Sequence, residues 1–190
     1  QITLPDWWPP TFNESKNFIL GMQEVVEDIY MILYNPPHAK VLLSLEEIRL
    51  LKQSVQNLVG IKCAGGDEQW YSQRRELLDD FSVFVPGHTV VYGKPLGANG
   101  SYSNVACLSP NGAVKIWDLI EKDYEKAQEL EAKVLNFMKQ YILPFANKLS
   151  NTGLDKLLAS VGGWGPVSEK VLWPYDLSLI HISEPTRPTP

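Results

Sequence analysis

Cysteine and histidine are scarce in this 190-residue chain, which has two of the first and three of the second. Two thiols cannot build a disulfide framework, and neither stands in a Cys-x-x-Cys pair. His38 follows Pro36-Pro37 and His88 follows Pro86-Gly87, so both read as solvated loop residues and no metal centre or other cofactor is expected. No apolar run reaches the roughly 18 residues that a membrane-spanning helix needs. Basic charge is not in excess either. Seventeen Lys and Arg face 22 Asp and Glu, a formal net charge of −5, which argues against nucleic-acid binding by bulk electrostatics.

The motifs of catalysis are equally thin. There is no Gly-x-Ser-x-Gly elbow, and nothing local marks Cys63 or Cys107 as other than packing residues. Gly93-Lys94-Pro95-Leu96-Gly97 invites comparison with a phosphate loop, but its lysine precedes a proline and the next helix signal comes only at Ser109-Pro110. Arg74-Arg75 is an adjacent basic pair with Asp79 and Asp80 close by. Asn13-Glu14-Ser15 and Asn99-Gly100-Ser101 fit the glycosylation triplet without secretory context. No catalytic residue emerges.

What the chain does have is aromatic and helical content. Six Trp, eight Tyr and six Phe exclude disorder as the main state. Residues 13–34 carry apolar side chains at Phe18, Met22, Val25, Ile29 and Leu33, a helical period preceded by Thr11 and Glu14 as a capping box. Ser44 and Glu47 form a second box ahead of Leu45, Ile48, Leu51, Val55 and Leu58, with Gly60 as the stop. A third helix spans residues 67–80. Phe81-Ser82-Val83-Phe84-Val85 alternates and Thr89-Val90-Val91-Tyr92 is β-branched and aromatic, which suggests a hairpin about Pro86-Gly87. After a loop over residues 93–109, Ser109-Pro110 opens one long helix to about Tyr141, and a last helix covers residues 154–161. The fold class expected is mainly α: a compact bundle of four to five helices with one short β-hairpin near residues 81–92.

The two ends read differently from the middle. Residues 1–12, with Trp7-Trp8-Pro9-Pro10, form an extended lead-in with no signal peptide. Residues 177–190 include Leu177-Ser178-Leu179-Ile180-His181-Ile182-Ser183-Glu184-Pro185-Thr186-Arg187, which resembles one reading frame of a sequencing-library adapter. They are set aside as non-native, leaving residues 13–176 as a single mainly helical domain cut from a longer, shotgun-sequenced gene.

The function expected on these grounds is that of a non-catalytic structural or assembly protein, for instance part of a viral capsid or nucleocapsid. It would work inside the cell or in a virion, with protein as partner, either itself or the rest of its chain. Trp7, Trp8, Trp164 and Trp173, in irregular Pro-flanked segments, are the candidate interface because Trp is enriched at binding hot spots. The alternative is a piece of an enzyme whose main catalytic residues lie outside it. Here His88 and the 93–109 loop, with Lys94 and Asn99, would stand near the site.

Overall fold

A computed structural model describes residues 1–168 and 170–173, so the adapter-like segment 177–190 lies outside the described residues. The chain forms two compact units, Gln1–Tyr102 and the part from Ser103 onward.

The first unit alternates strand and helix. Its strands are β1 (Ile2–Thr3), β2 (Met31–Tyr34), β3 (Leu58–Lys62), β4 (Ser82–Pro86) and β5 (Gly100–Tyr102); between them run α1 (Phe12–Val26), α2 (Leu45–Ser54), α3 (Glu68–Leu77) and α4 (Val90–Leu96). All four strand pairings are parallel and the spatial order is β1-β2-β3-β4-β5, each strand beside its sequence neighbour. Parallel neighbours require a crossover, and the helices supply it. Sequential order with helical crossovers is the arrangement of βα-barrel proteins.

This replaces the helical bundle expected from the sequence. The apolar runs Met31–Tyr34 and Leu58–Lys62, read as the ends of helices, are central strands. Strands covered by packing read as continuous apolar runs, and over four or five residues periodicity cannot tell them from a buried helix. Helix α1 stops at Val26, and Val25 and Ile29, assigned to its buried stripe, are 75% and 67% exposed. The hairpin near residues 81–92 is also overturned. β4 pairs only in parallel, with β3 and β5, and Val90-Val91-Tyr92 begins α4. The β-branched residues there serve a helix that buries Val90 and Val91, so tertiary packing overrides strand propensity. The supposed loop 93–109 holds the end of α4, all of β5 and the short helix α5 (Val105–Leu108).

The caps are as the sequence has them. Thr11 with Glu14 and Ser44 with Glu47 form complete capping boxes, and Asp67 accepts from the Trp70 N–H to start α3.

One face of the sheet is the core. Ile2, Leu33, Ile61 and Val83 follow the strand register and are buried with Ile19, Ile48, Leu51 and Tyr71 of the helices. Arg74 of α3 is buried among them. It donates to the Phe81 carbonyl and to Asn99 Oδ1 (3.1 Å), while that oxygen also accepts from the Val83 N–H (2.9 Å). The Asn99 amide therefore joins α3 to β4, and burial lowers the pKa of the Arg74 guanidinium.

The second unit is helical: α5, α6 (Pro110–Lys122), α7 (Tyr124–Phe137) and α8 (Asn151–Gly162). Ser109 caps α6 with Pro110 in its first turn. The single long helix expected here is two, because Asp123 takes φ −160° and caps α7 by accepting from the Lys126 N–H. A wide turn over Met138–Ile142 and a tight one at Leu143–Phe145 follow, so the α-helix stops at Phe137, before Pro144, which lies inside the tight turn. No helix among the described residues is long and apolar enough to cross a membrane.

Two glycines, one in a strand and one in a helix, carry opposite predictions. A Cβ on Gly60 would stand 2.8 Å from the Ser82 carbonyl oxygen, so Gly60→Ala should destabilise by about 1–3 kcal/mol, read as a lower denaturant midpoint. On α1, a Cβ at Gly21 meets nothing within 4 Å, and Gly21→Ala should stabilise by about 0.5–1 kcal/mol in the same assay.

Candidate active site

Parallel strands end at one common edge. Tyr34, Lys62, Pro86 and Tyr102 are the last residues of β2, β3, β4 and β5, so they share it. In sheets of this kind the carboxyl ends carry the chemistry, because the loops that follow them can vary while the strands hold position.

Side chains alternate along a strand, so the residues that pair with Lys62 share its face. Tyr34 and Phe84 are its register partners, and Gly100 is the partner of Phe84. This row lies on the face opposite the buried Leu33, Ile61 and Val83. Lys62 Nζ is 4.1 Å from the centre of the Tyr34 ring and 5.2 Å from that of Tyr102. Each contact of this type is worth about 0.5–2 kcal/mol, depending on how dry the site is.

Two glycines shape the floor. A Cβ on Gly100 would meet the Phe84 ring at 2.9 Å, and one on Gly60 would come within 3.4 Å of it. The Phe84 ring fills the space those side chains leave and packs edge-on against Tyr102, with centroids 5.4 Å apart.

Beside Tyr34 the chain is held by Asn35, which is buried. Its Nδ2 donates to the Val41 carbonyl (2.7 Å) and its Oδ1 accepts from the Leu43 N–H (3.0 Å). The loop so fixed lines a groove of about 190 Å³ together with Thr3, Asp6 and Tyr34, and His38 and Lys40 face into it. Lys40 Nζ donates to the Trp7 carbonyl at 3.0 Å.

Cys63, next in sequence to Lys62, is held differently. Its thiol pKa is raised by burial, which keeps it protonated and a poor nucleophile. The buried Tyr71 phenol is pushed up to about 12, chiefly by burial. Among the described residues no group of three His, Cys, Asp or Glu could hold a metal.

The residues singled out from sequence fall elsewhere. Trp7, Trp8 and Trp173 are 93%, 77% and 91% exposed. In the second unit, Trp164 Nε1 donates to the Cys107 carbonyl at 2.7 Å. His88 sits on the turn that leaves β4, Lys94 lies within α4, and Asn99 is tied to Val83 and Arg74. Sequence reasoning passed over Lys62, Tyr34 and Tyr102. One signal was available: Leu58-Val59-Gly60-Ile61-Lys62 is a buried apolar run that ends on a lysine, followed by Gly65-Gly66.

Comparison with known proteins agrees with this architecture. Residues 3–163 match the model of the dihydrodipicolinate synthetase family. A 4-hydroxy-tetrahydrodipicolinate synthase of Teredinibacter turnerae is 33% identical over 106 residues, 54% of this chain and 36% of that protein. The structure of dihydrodipicolinate synthase from Bacteroides thetaiotaomicron superposes with a TM-score of 0.71 at 20% identity, covering 91% of this chain and 59% of that one. The 2-keto 3-deoxygluconate aldolase of Picrophilus torridus gives 0.69 at 18% identity, covering 92% and 64%. The chain thus spans little more than a third of the curated relative and about three-fifths of these two solved chains. The family match overturns the reading as a non-catalytic structural or assembly protein of viral coat or nucleocapsid type, since relatives over the same residues are enzymes, and it favours the enzyme alternative. The absence of catalytic signatures misled because a missing short motif does not exclude an enzyme. Matched over most of its length and built as a sequential parallel βα sheet, the chain belongs to the dihydrodipicolinate synthetase family.

Proposed function

We propose that this chain carries the carbonyl-binding part of an enzyme that makes or breaks a carbon–carbon bond next to the keto group of a 2-oxo acid, with Lys62 as the nucleophile. The observation that supports this reading is the placement of Lys62. It is an amine at the carboxyl end of a central strand, on the half-open face, with the Tyr34 ring 4.1 Å from its nitrogen. The names of the relatives, a synthase and an aldolase of a 2-keto sugar acid, fit the same chemistry.

A primary amine at such a place adds to a carbonyl carbon and expels its oxygen as water, leaving an iminium. The positive nitrogen then draws electrons from the neighbouring bond, so an aldol-type bond breaks, or a C–H bond yields the carbon nucleophile that forms one. Tyr34 supplies a phenol beside the amine, suited to giving a proton to the departing hydroxyl and taking one back. Its backbone is fixed from the next residue, Asn35, whose two hydrogen bonds hold the loop.

Three outcomes test this. Borohydride added with a 2-oxo acid should leave a stable mass increase on a peptide containing Lys62, and Lys62→Arg should abolish it and lower turnover by about a thousand-fold or more. Trapping that persists in Lys62→Arg would sink the assignment. Tyr34→Phe should retain trapping but slow turnover by about 10²–10⁴-fold. Asn35→Ala, which leaves the Val41 carbonyl and the Leu43 N–H unpaired, should destabilise by about 1–3 kcal/mol and weaken substrate binding with it.

A further inference from the structure

Lys62 stands at the carboxyl edge of the sheet; the opposite edge holds a buried cation. Phe81 and Asn99 immediately precede β4 and β5, and the guanidinium of Arg74 sits against both. Arg74 is only 4% exposed. One nitrogen, Nη2, makes both of its hydrogen bonds, to the Phe81 carbonyl and to Asn99 Oδ1, while Nε is buried with no partner. Among the described residues no carboxylate forms an ion pair with Arg74. The nearby Asp80 is paired with Lys52, and Asp79 Oδ1 accepts from the Asp80 N–H.

A guanidinium stays protonated in proteins, and burying one without a counter-charge is strongly unfavourable. Burial and then the like charge of Arg75 lower the Arg74 pKa, against the smaller opposing effects of Tyr71 and Asp79. A base in the last turn of a helix complements the helix dipole, but the exposed Arg75 of α3 already does so. Bracing Phe81 and Asn99 occupies Nη2 alone. Both guanidiniums, moreover, converge on one turn. Nη1 of Arg75 donates to the Leu96 carbonyl at 2.5 Å. Nη1 of Arg74 lies 3.7 Å from where a Cβ on Gly97 would stand, and no other atom outside residues 96–98 comes within 4 Å of that point. Gly97, at φ +118°, thus closes α4 and keeps this side of the turn clear. The helix-end carbonyls that would repel an anion are engaged: those of Gly93 and Lys94 accept from the Gly97 N–H, and that of Leu96 accepts from Arg75.

We propose that Arg74 and Arg75 together hold a small oxyanion, a phosphate or carboxylate group, at the Leu96–Gly97 turn, on the edge of the sheet opposite Lys62. Guanidinium groups give such anions short, charge-assisted hydrogen bonds in a planar fork. The anion supplies the counter-charge that Arg74 lacks and relieves its repulsion with Arg75. It also ties the end of α3 to the connection between α4 and β5, so the occupied protein is the more stable one. The site does not depend on the role of Lys62, and either reading can fail without the other.

The test is thermal unfolding of the whole protein, followed by circular dichroism, with sodium phosphate in one series and sodium acetate in another. Sodium chloride holds the ionic strength constant. In the unaltered chain Tm should rise along a saturating curve, by about 3–6 °C at roughly ten times the half-saturating concentration. Saturation by phosphate alone identifies a phosphate-bearing ligand, and saturation by acetate a carboxylate. Arg74→Lys, which keeps the charge but loses the fork, should raise the half-saturating concentration by about tenfold or more, and Arg75→Gln by about tenfold. Should Arg74→Lys fail to fold, Arg75→Gln, at an exposed position, carries the comparison. A Tm that does not saturate with either anion in the unaltered chain overturns the proposal. So does a saturating rise that Arg75→Gln and folded Arg74→Lys leave unchanged.

Discussion

Parallel pairing of β3 between β2 and β4 is the constraint on which the rest of the first unit depends. It demands that two backbones come together beside Gly60, where even a methyl group would stand 2.8 Å from the Ser82 oxygen. Once that approach is made, the register follows. Leu33, Ile61 and Val83 go to the helix-covered side, and Tyr34, Lys62 and Phe84 go to the other. The core and the candidate site are thus two faces of one set of hydrogen bonds. Any change that separates β3 from β4 acts on both.

The helices serve that pairing by supplying crossovers of the right length, and their ends are held by local chemistry. Capping boxes begin α1 and α2, and an aspartate begins α3. Beneath the sheet, Arg74 and Asn99 connect α3, β4 and the approach to β5 through a shared carbonyl oxygen. Asn35 does similar work above it, where the chain leaves β2. Polar groups thus fix the loops on either side of strands that carry few polar side chains themselves.

Local signals were legible in the sequence and long-range ones were not. Thr11 with Glu14, Ser44 with Glu47 and Ser109 with Pro110 each state a helix start within four residues, and each stands where it was read. The strands depend on partners 16 or more residues away, which no short window of the sequence contains. Met31-Ile32-Leu33-Tyr34 is apolar throughout because one side meets helices and the other meets the sheet's aromatic row, so neither period 2 nor period 3.6 is visible. The site was hidden for the same reason. Lys62, Tyr34 and Tyr102 are 28 and 40 residues from one another along the chain, and only the sheet order brings them to one edge. The Trp residues caught attention by rarity, whereas a common lysine at a strand end carries no local mark.

Lys62 and Cys63 are neighbours in sequence and rivals in chemistry. Alternation along the strand gives the amine a half-open aromatic flank, while burial holds the thiol protonated. A slip of one residue between β3 and its neighbours would turn the amine to the helix-covered side and bring Cys63 to the aromatic row. Small as it is, Gly60 bears on that choice, since it lets the strands approach in the register observed. The absence of one side chain in the sheet thereby helps decide which of two adjacent side chains stands in the aromatic row.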